Sequence, residues 1–384
     1  MFILPDKGLK ELAIYIHVPF CDHKCIYCDF YSIITSDNIS SFLQSVKKEI
    51  KYYAENYSAS RIITSIFFGG GTPSLMQPEY LGEIISSIAE NYNVSDEAEI
   101  TMETNPGTVD KEKLRKFRTA GVNRISIGVQ SFNDDELKFL TRIHDSDTAV
   151  KTLHYAADAG FENISLDLIF NLPGQTKEIW LSNLKQAVQL PITHISAYSL
   201  ILERGTILNK MILDGKVVLQ GDDHDAELYE TTIDFLTQHG FYQYEVSNFT
   251  RSGYECKHNN AYWHYKNYLG FGTSSHSFVD GRRWWNFSSL KRYINEIEKH
   301  NLAVAGYEVL SEEDAHNEFV MLALRSSGLI LKRYKENFGD DWLKKNYHYF
   351  EQLENDNLIF NDNNIIKLTK KGYAVCDEIL QNIL

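Results

Sequence analysis

The sequence predicts an α/β fold: a partial (β/α)6 barrel of the TIM type followed by a small C-terminal winged-helix-like domain. Three observations carry this. Short β-branched apolar runs alternate with helix-like stretches from residue 12 to about residue 200, and such alternation gives right-handed βαβ units around a parallel sheet. The strand-like runs number six rather than the eight of a full barrel. The polar residues fit for chemistry fall at or just beyond the C-terminal ends of successive runs, which is the working rim of such barrels.

The strand-like runs are 12–18, 62–68, 99–104, 124–129, 164–169 and 194–200. Between them, 38–57, 78–92, 110–120, 147–159 and 176–190 read as helices. Start signals lie around Thr108 to Glu112 and at Ser146, and Gly121 and Gly160 mark stops after the last apolar turn. A further helix is expected over 222–240, then an irregular aromatic segment over 242–287. The remainder reads as helices at 312–326, 331–338 and 342–355, short strands at 358–360 and 365–368 around an Asn/Asp turn, and a terminal helix at 372–380. The expected organisation is a barrel over 1–235, an aromatic segment over 236–305 and a C-terminal domain over 306–384. Neither repeats nor low-complexity stretches interrupt it.

With 384 residues, 43% apolar and 23% charged, the composition is that of an ordinary globular protein with room for two or three domains. A net charge of −14 argues against bulk nucleic-acid binding, which normally shows a basic excess. One basic cluster, Arg282, Arg283, Lys291 and Arg292 around Trp284 and Trp285, reads better as a solvated helix start. The stretch 1–10 lacks the pattern of a secretory leader, and no apolar run reaches bilayer length. Five cysteines, three of them clustered, form no disulfide framework and suit a reducing cytoplasm.

The clustered three are the most informative residues. Cys21, Cys25 and Cys28 follow the first strand in C-x3-C-x2-C spacing. Three thiolates on one loop can each take one iron of a [4Fe–4S] cube and leave the fourth iron open to a small molecule. A structural zinc site, with His17, His23 or Asp29 as fourth ligand, is the competing reading. Zinc knuckles more often use paired C-x2-C motifs, and a second pair is absent.

At the end of the second strand stands Phe67-Phe-Gly-Gly-Gly-Thr-Pro-Ser74. Three glycines let backbone approach a ligand without a Cβ in the way. Carbonyls there are expected to take an α-ammonium, with N–H groups and Thr72 on a carboxylate. The Gly-Lys-Ser/Thr ending of a phosphate-binding loop is missing. Glu103, Gln130, Arg142 and Asp167 are each more often solvated or salt-bridged when taken singly. In register on one rim, they become candidates for ribose hydroxyls and a carboxylate. Tyr15 projects from the first strand as a neighbour for an adenine or sulfonium.

The cysteine spacing matches that of radical S-adenosylmethionine (SAM) proteins. Together with Tyr15, the Gly-Gly-Gly-Thr-Pro run, Glu103-Thr-Asn-Pro106, Arg124 to Ser131 and Asp167 to Gly174, it resembles the oxygen-independent coproporphyrinogen III oxidase superfamily over nearly the whole chain. The resemblance implies a radical SAM barrel. It also implies a [4Fe–4S] cluster on Cys21, Cys25 and Cys28, and SAM contacts from Tyr15, Gly70, Gly71, Thr72, Glu103, Gln130, Arg142 and Asp167. Two departures separate the chain from the oxidases. Phe30 stands where they carry a further cysteine, and only about eleven residues precede the first strand, where they have a long arm. Both are similar to the heme chaperone branch, as is His258-Asn-Asn-Ala-Tyr-Trp263, which matches that branch's heme motif.

Imidazole is a common axial ligand to heme iron, and Tyr262 and Trp263 offer flat faces to a porphyrin. From composition alone, a lone histidine among aromatics is more often packed in a core. The expectation is therefore a cytoplasmic radical SAM protein that binds the cluster, SAM and heme at His258, Tyr262 and Trp263, and hands heme to apo-hemoproteins such as respiratory enzymes. A low-potential electron donor, and a membrane surface or second copy of the chain, complete the expected partners; nucleic acid is not among them. The rivals are a coproporphyrinogen oxidase and, from another class, a tRNA-modifying enzyme disfavoured by the acidic charge.

Overall fold

The computed structural model describes residues 10–35 and 37–384, so the reading of a leader on 1–10 lies outside the described residues except at Lys10. Six strands form the centre: β1 (Lys10–Val18), β2 (Arg61–Gly70), β3 (Val94–Thr104), β4 (Arg124–Gln130), β5 (Asn163–Phe170) and β6 (His194–Ser199). They stand side by side in chain order, and every neighbouring pair is parallel. The crossovers carry α1 (Ile39–Tyr57), α2 (Pro78–Asn91), α3 (Lys111–Thr119), α4 (Asp134–Phe139), α5 (Ser146–Asp158) and α6 (Lys177–Ala187). Asp110 caps α3 by accepting from the Lys113 N–H, and Asp145 caps α5 from Thr148. Gly121 and Gly160 follow α3 and α5 with φ of 112° and 92°, the left-handed exit that glycine takes without strain.

The strands have two unlike faces. Leu12, Ile14, Ile16, Val18, Phe68, Met102, Ile125, Ile127, Leu166 and Leu168 are buried in one core with the surrounding helices. The alternate positions, which face the lumen, carry Tyr15, His17, Ser65, Glu99, Glu103, Arg124, Ser126, Asp167 and His194. Side chains alternate across a strand, so one sequence builds an apolar exterior for the helices and a polar lumen.

Beyond β6 the chain continues as α7 (Ile207–Leu213), α8 (Asp222–Gln238), β7 (Tyr242–Gln243), β8 (Asn248–Thr250), α9 (Lys257–Trp263), β9 (Asn267–Gly272), β10 (His276–Val279), β11 (Arg282–Asn286), α10 (Leu290–His300) and β12 (Val304–Val309). This corrects the expected irregular segment. β9 pairs in parallel with β1 and β8 antiparallel with β6, so the sheet reads β12-β11-β10-β9-β1-β2-β3-β4-β5-β6-β8-β7 and stays an open arc. These strands are too short to show a clear alternation. Gly270 also interrupts the pattern for a packing reason, since a Cβ there would lie 2.1 Å from the His276 carbonyl oxygen. A buried carboxylate ties the extension to the barrel. Glu49 of α1 accepts from the Gly272 N–H (3.0 Å), Asn286 Nδ2 (2.6 Å) and the Tyr293 hydroxyl (2.6 Å), and burial pushes its pKa up to about 7.

The C-terminal part has its own core. It comprises α11 (Glu312–Leu324), α12 (Leu331–Phe338), α13 (Asp341–Lys345), α14 (Tyr347–Asn355), α15 (Lys370–Ala374) and α16 (Cys376–Ile383). Its strands β13 (Leu329–Ile330), β14 (Ile359–Asn361) and β15 (Ile365–Leu368) form a separate sheet in the order β13-β15-β14. The helix expected over 342–355 is two, because Asn346 leaves helical geometry and its Nδ2 takes the Trp342 carbonyl. The terminal helix likewise breaks at Val375. Among the described residues no helix is long and apolar enough to cross a membrane.

Candidate cluster and SAM site

The loop after β1 carries the three cysteines and is fastened to the rim by its own backbone. Cys21 N–H donates to Ile33 (3.0 Å) and Ile33 N–H to Pro19 (2.8 Å), closing the loop at its base. Its tip is held by Ile26, which is buried with Leu140, Ile169, Leu172, Leu200 and Leu208, while the Leu208 N–H donates to the Ile26 carbonyl at 2.9 Å. Cys21, Cys25 and Cys28 are unpaired and half-buried beside this anchor. Burial pushes the Cys21 thiol up and that of Cys28 to about 11.

Soft thiolates without disulfide partners suit iron–sulfur ligation. Among the described residues no three His, Cys, Asp or Glu side chains are gathered around one point. His17, a candidate fourth zinc ligand, is engaged at both nitrogens: Nδ1 accepts from the Tyr15 hydroxyl at 3.1 Å and Nε2 donates to the Tyr31 carbonyl at 2.9 Å. The carbonyl can only accept, which fixes the tautomer. Tyr15 is thereby tied through His17 to the far side of the cysteine loop. Phe30 stands 62% exposed.

The glycine loop departs from expectation. The Gly70 N–H donates to Glu103 Oε2 (3.2 Å), that of Gly71 to the Val18 carbonyl (2.8 Å) and that of Thr72 to Phe20 (2.7 Å), so none is left for a ligand carboxylate. The glycines also serve close packing. A Cβ on Gly70, whose φ is 108°, would meet the His17 ring at 2.6 Å, and one on Gly71 the Phe20 carbonyl oxygen at 2.6 Å.

Around the rim, Glu103 and Asp167 are half-buried carboxylates. The pKa of Glu103 rises to about 8, chiefly by desolvation and next by the nearby Asp167. Asp167 is also raised by burial, with Ser196 and Ser126 opposing; Ser126 Oγ donates to it at 3.1 Å. Gln130 ends β4 at φ 69°, a left-handed conformation uncommon outside glycine and frequent at functional sites. Arg142 turns toward the cysteine loop: Nη1 donates to Cys25 Sγ (3.4 Å), and Nη2 to Asn105 Oδ1 (2.6 Å) and the Gly128 carbonyl (2.8 Å). Its Nε is buried without a partner, a donor available to a bound anion. Asp22, His23, Cys25, Thr72, Asn105 and Arg142 line a concavity here. Neither Asn105 nor Ser126 stood out in the sequence as a site residue, and His17 did so only as a candidate zinc ligand. Their signal was positional, since Ser126 and His17 occupy lumen-facing places of the strands that carry Asp167's neighbours and the cysteines.

The structure brings His258 to the lumen as a packed residue. Glu99 accepts from the Lys257 N–H (3.1 Å), the His258 N–H (3.3 Å) and Cys256 Sγ (3.4 Å), drawing α9 into the floor of the barrel. There the His258 ring is 1% exposed. Its Nδ1 pairs with Ser65 Oγ and Nε2 with the Tyr262 hydroxyl, both at 3.0 Å. Desolvation, with Arg124 adding to it, lowers the pKa of the imidazole to about 3. In this conformation both ring nitrogens of His258 are committed, one of them to Tyr262, and Tyr262 and Trp263 are half-buried. The basic cluster is equally committed. Arg283 binds Glu308 and Glu318, Arg282 lies 4.9 Å over Tyr307, and Trp284 packs on Tyr53 and Tyr57.

Comparison with known proteins extends this picture. The profile of the radical SAM superfamily matches residues 15–186, and that of the HemN C-terminal domain matches residues 310–375. The heme chaperone HemW of Bacillus subtilis is 35% identical over 95% of this chain and 97% of its own. The heme chaperone HemW of Lactococcus lactis is 33% identical over 98% of both. The mitochondrial radical S-adenosyl methionine domain-containing protein 1 of Danio rerio is 34% identical over 97% of this chain and 87% of its own. Among solved structures, coproporphyrinogen III oxidase (HemN) of Escherichia coli superposes with a TM-score of 0.82 over 97% of this chain and 90% of that one. At 24% identity it shares the fold.

Proposed function

The chain belongs to the heme chaperone HemW family of radical SAM proteins, and from that premise we propose that it holds a [4Fe–4S] cluster and SAM at the barrel rim, binds heme, and passes the heme to apo-hemoproteins. The observation that carries the reading is the loop of Cys21, Cys25 and Cys28: three unpaired thiols fixed by Ile26 at the mouth of a polar lumen, with Phe30 in solvent where a fourth cysteine would be needed. A cluster on three thiolates keeps an iron free to chelate SAM and pass it an electron when both are bound.

This chain's own residues supply the rest. Glu103 is a half-buried carboxylate that accepts from the Gly70 N–H, so a ligand ammonium would stabilise its ionised form. Arg142 Nε is placed for a ligand carboxylate, Asp167 and Gln130 for ribose hydroxyls, and Tyr15 for the wall of an adenine or sulfonium pocket. Gly70, Gly71 and Thr72 shape the loop that closes over Glu103. Heme contact by His258, Tyr262 and Trp263 requires α9 to withdraw from the floor, because the imidazole has no free nitrogen where it lies. The oxidase reading has the fold in its favour and Phe30 against it.

The test is to incubate reconstituted protein separately with heme, and with coproporphyrinogen, SAM and a reductant. Bound heme without protoporphyrinogen is the expected result. Protoporphyrinogen without stable heme binding would replace the chaperone reading with the oxidase one.

A further inference from the structure

Cys21 and Cys25 are joined by an unbroken chain of hydrogen bonds that runs outside the cysteine loop. Arg142 Nη1 donates to Cys25 Sγ at 3.4 Å, and Arg142 Nη2 donates to Asn105 Oδ1 at 2.6 Å. The Asn105 amide then donates from Nδ2 to Thr72 Oγ1 at 3.0 Å, and Thr72 Oγ1 lies 3.5 Å from Cys21 Sγ. Arg142 can only donate, so the Asn105 oxygen must face it and the amide nitrogen must face Thr72. Thr72 Oγ1 accepts from Asn105, and its own hydrogen is free to go to Cys21 Sγ, which as a thiolate could only accept. With Cys21 and Cys25 as thiolates, both ends of the chain thus point a donor at sulfur. Gly128 keeps room for the arrangement: a Cβ there would lie 2.9 Å from Asn105 Oδ1, and its carbonyl takes a second bond from Arg142 at 2.8 Å.

We infer that Asn105 is a positioning residue, the centre of a bracket Cys25–Arg142–Asn105–Thr72–Cys21 that sets the spacing of two cluster thiolates and supplies each with a hydrogen-bond donor. The inference rests on the reading of these cysteines as cluster ligands. Cys28 has no place in the bracket; its N–H donates to the Cys25 carbonyl at 3.2 Å. Two consequences follow from general chemistry. Groups that orient metal ligands through hydrogen bonds hold the metal, and losing one costs about 10- to 100-fold in affinity. Donors to cluster sulfurs stabilise the reduced, more negative state, so their loss lowers the reduction potential.

The experiment compares wild type, Asn105→Ala, Thr72→Val and Thr72→Ser, each reconstituted with iron and sulfide. Two quantities are read without any turnover: the rate at which a chelator strips iron, and the midpoint potential from an EPR-monitored titration. Asn105→Ala and Thr72→Val are expected to lose iron about tenfold faster and to shift to lower potential, while Thr72→Ser, which keeps the hydroxyl, stays with wild type. Melting temperatures measured alongside separate this from general loosening. Stripping rates and potentials equal to wild type in both Asn105→Ala and Thr72→Val would overturn the bracket, as would changes that merely track melting temperature or that Thr72→Ser shares. Wild type that takes up zinc and forms no iron–sulfur chromophore would overturn the cluster reading and the bracket with it.

Discussion

His258 and Phe67 lie face to face, ring centroids 4.9 Å apart and planes 25° from parallel, so the imidazole of α9 is stacked against the strand that ends in the glycine loop. Tyr15 flanks the same imidazole at 6.2 Å and 29°. The floor of the barrel and its functional rim are therefore in mechanical contact through three rings.

Stability should respond to acid at this contact. A neutral, buried His258 contributes stability that is fully present above its ordinary value of 6.5 and is lost as pH falls toward its folded value of about 3. The wild-type minus His258→Asn difference in unfolding free energy should therefore decline between pH 6.5 and pH 4 by about 3 kcal/mol. Urea melts across that range check it; a difference independent of pH would show that His258 is not the buried neutral group described.

Heme binding should separate two contributions. If axial ligation holds heme after α9 moves, His258→Ala shifts the Soret band and weakens binding, and Cys21→Ala leaves it largely intact. If burial of the macrocycle dominates, Trp263→Ala costs more, on the order of 2 kcal/mol. Titrations in which neither variant differs from wild type would remove α9 from the heme site.

The cluster should depend on three cysteines and ignore two. Anaerobic reconstitution is expected to give about four irons and four sulfides per chain, with Cys21→Ala, Cys25→Ala and Cys28→Ala colourless. Cys256→Ala keeps the chromophore yet loses about 1 kcal/mol of stability, because Cys256 caps α9 by accepting from the Asn259 N–H. Cys376, buried in the C-terminal core, is silent in iron content.

SAM affinity should rise with pH up to about 8. Glu103 holds a proton below that value, and pairing with a ligand ammonium requires its release. Calorimetry between pH 6 and pH 8 should show tighter binding at the upper end, with Glu103→Gln weak and flat over the same range. An unchanged affinity in Glu103→Gln would take the ammonium away from this carboxylate.

Conversion of coproporphyrinogen III should be absent, and Phe30→Cys should not install it. Phe30 is 62% exposed, whereas the three cysteines are half-buried. Sustained protoporphyrinogen formation above a Cys25→Ala control is the outcome against this.

The sequence announced the six parallel strands because each is long enough to repeat its apolar signal, and some are followed by a capped helix, as at Asp110, Asp145 and Thr176. It announced the cysteines by spacing alone. It concealed β9 to β12, where runs of four to six residues carry aromatics on both faces and Gly270 breaks the pattern for the sake of His276. It also concealed partners. Arg142 was legible as a rim cation, but its attachment to Cys25 and Asn105 depends on loops distant in the chain. The histidine motif showed an available ligand, whereas its availability turned on Ser65 and Tyr262, which only tertiary structure brings to its nitrogens.

Glu99 fastens α9 across the base of the lumen by taking the Lys257 and His258 N–H groups and the Cys256 thiol. One carboxylate thus works as a latch. Withdrawal of α9 would have to surrender all three bonds together, so it would be a single all-or-none release rather than a gradual loosening.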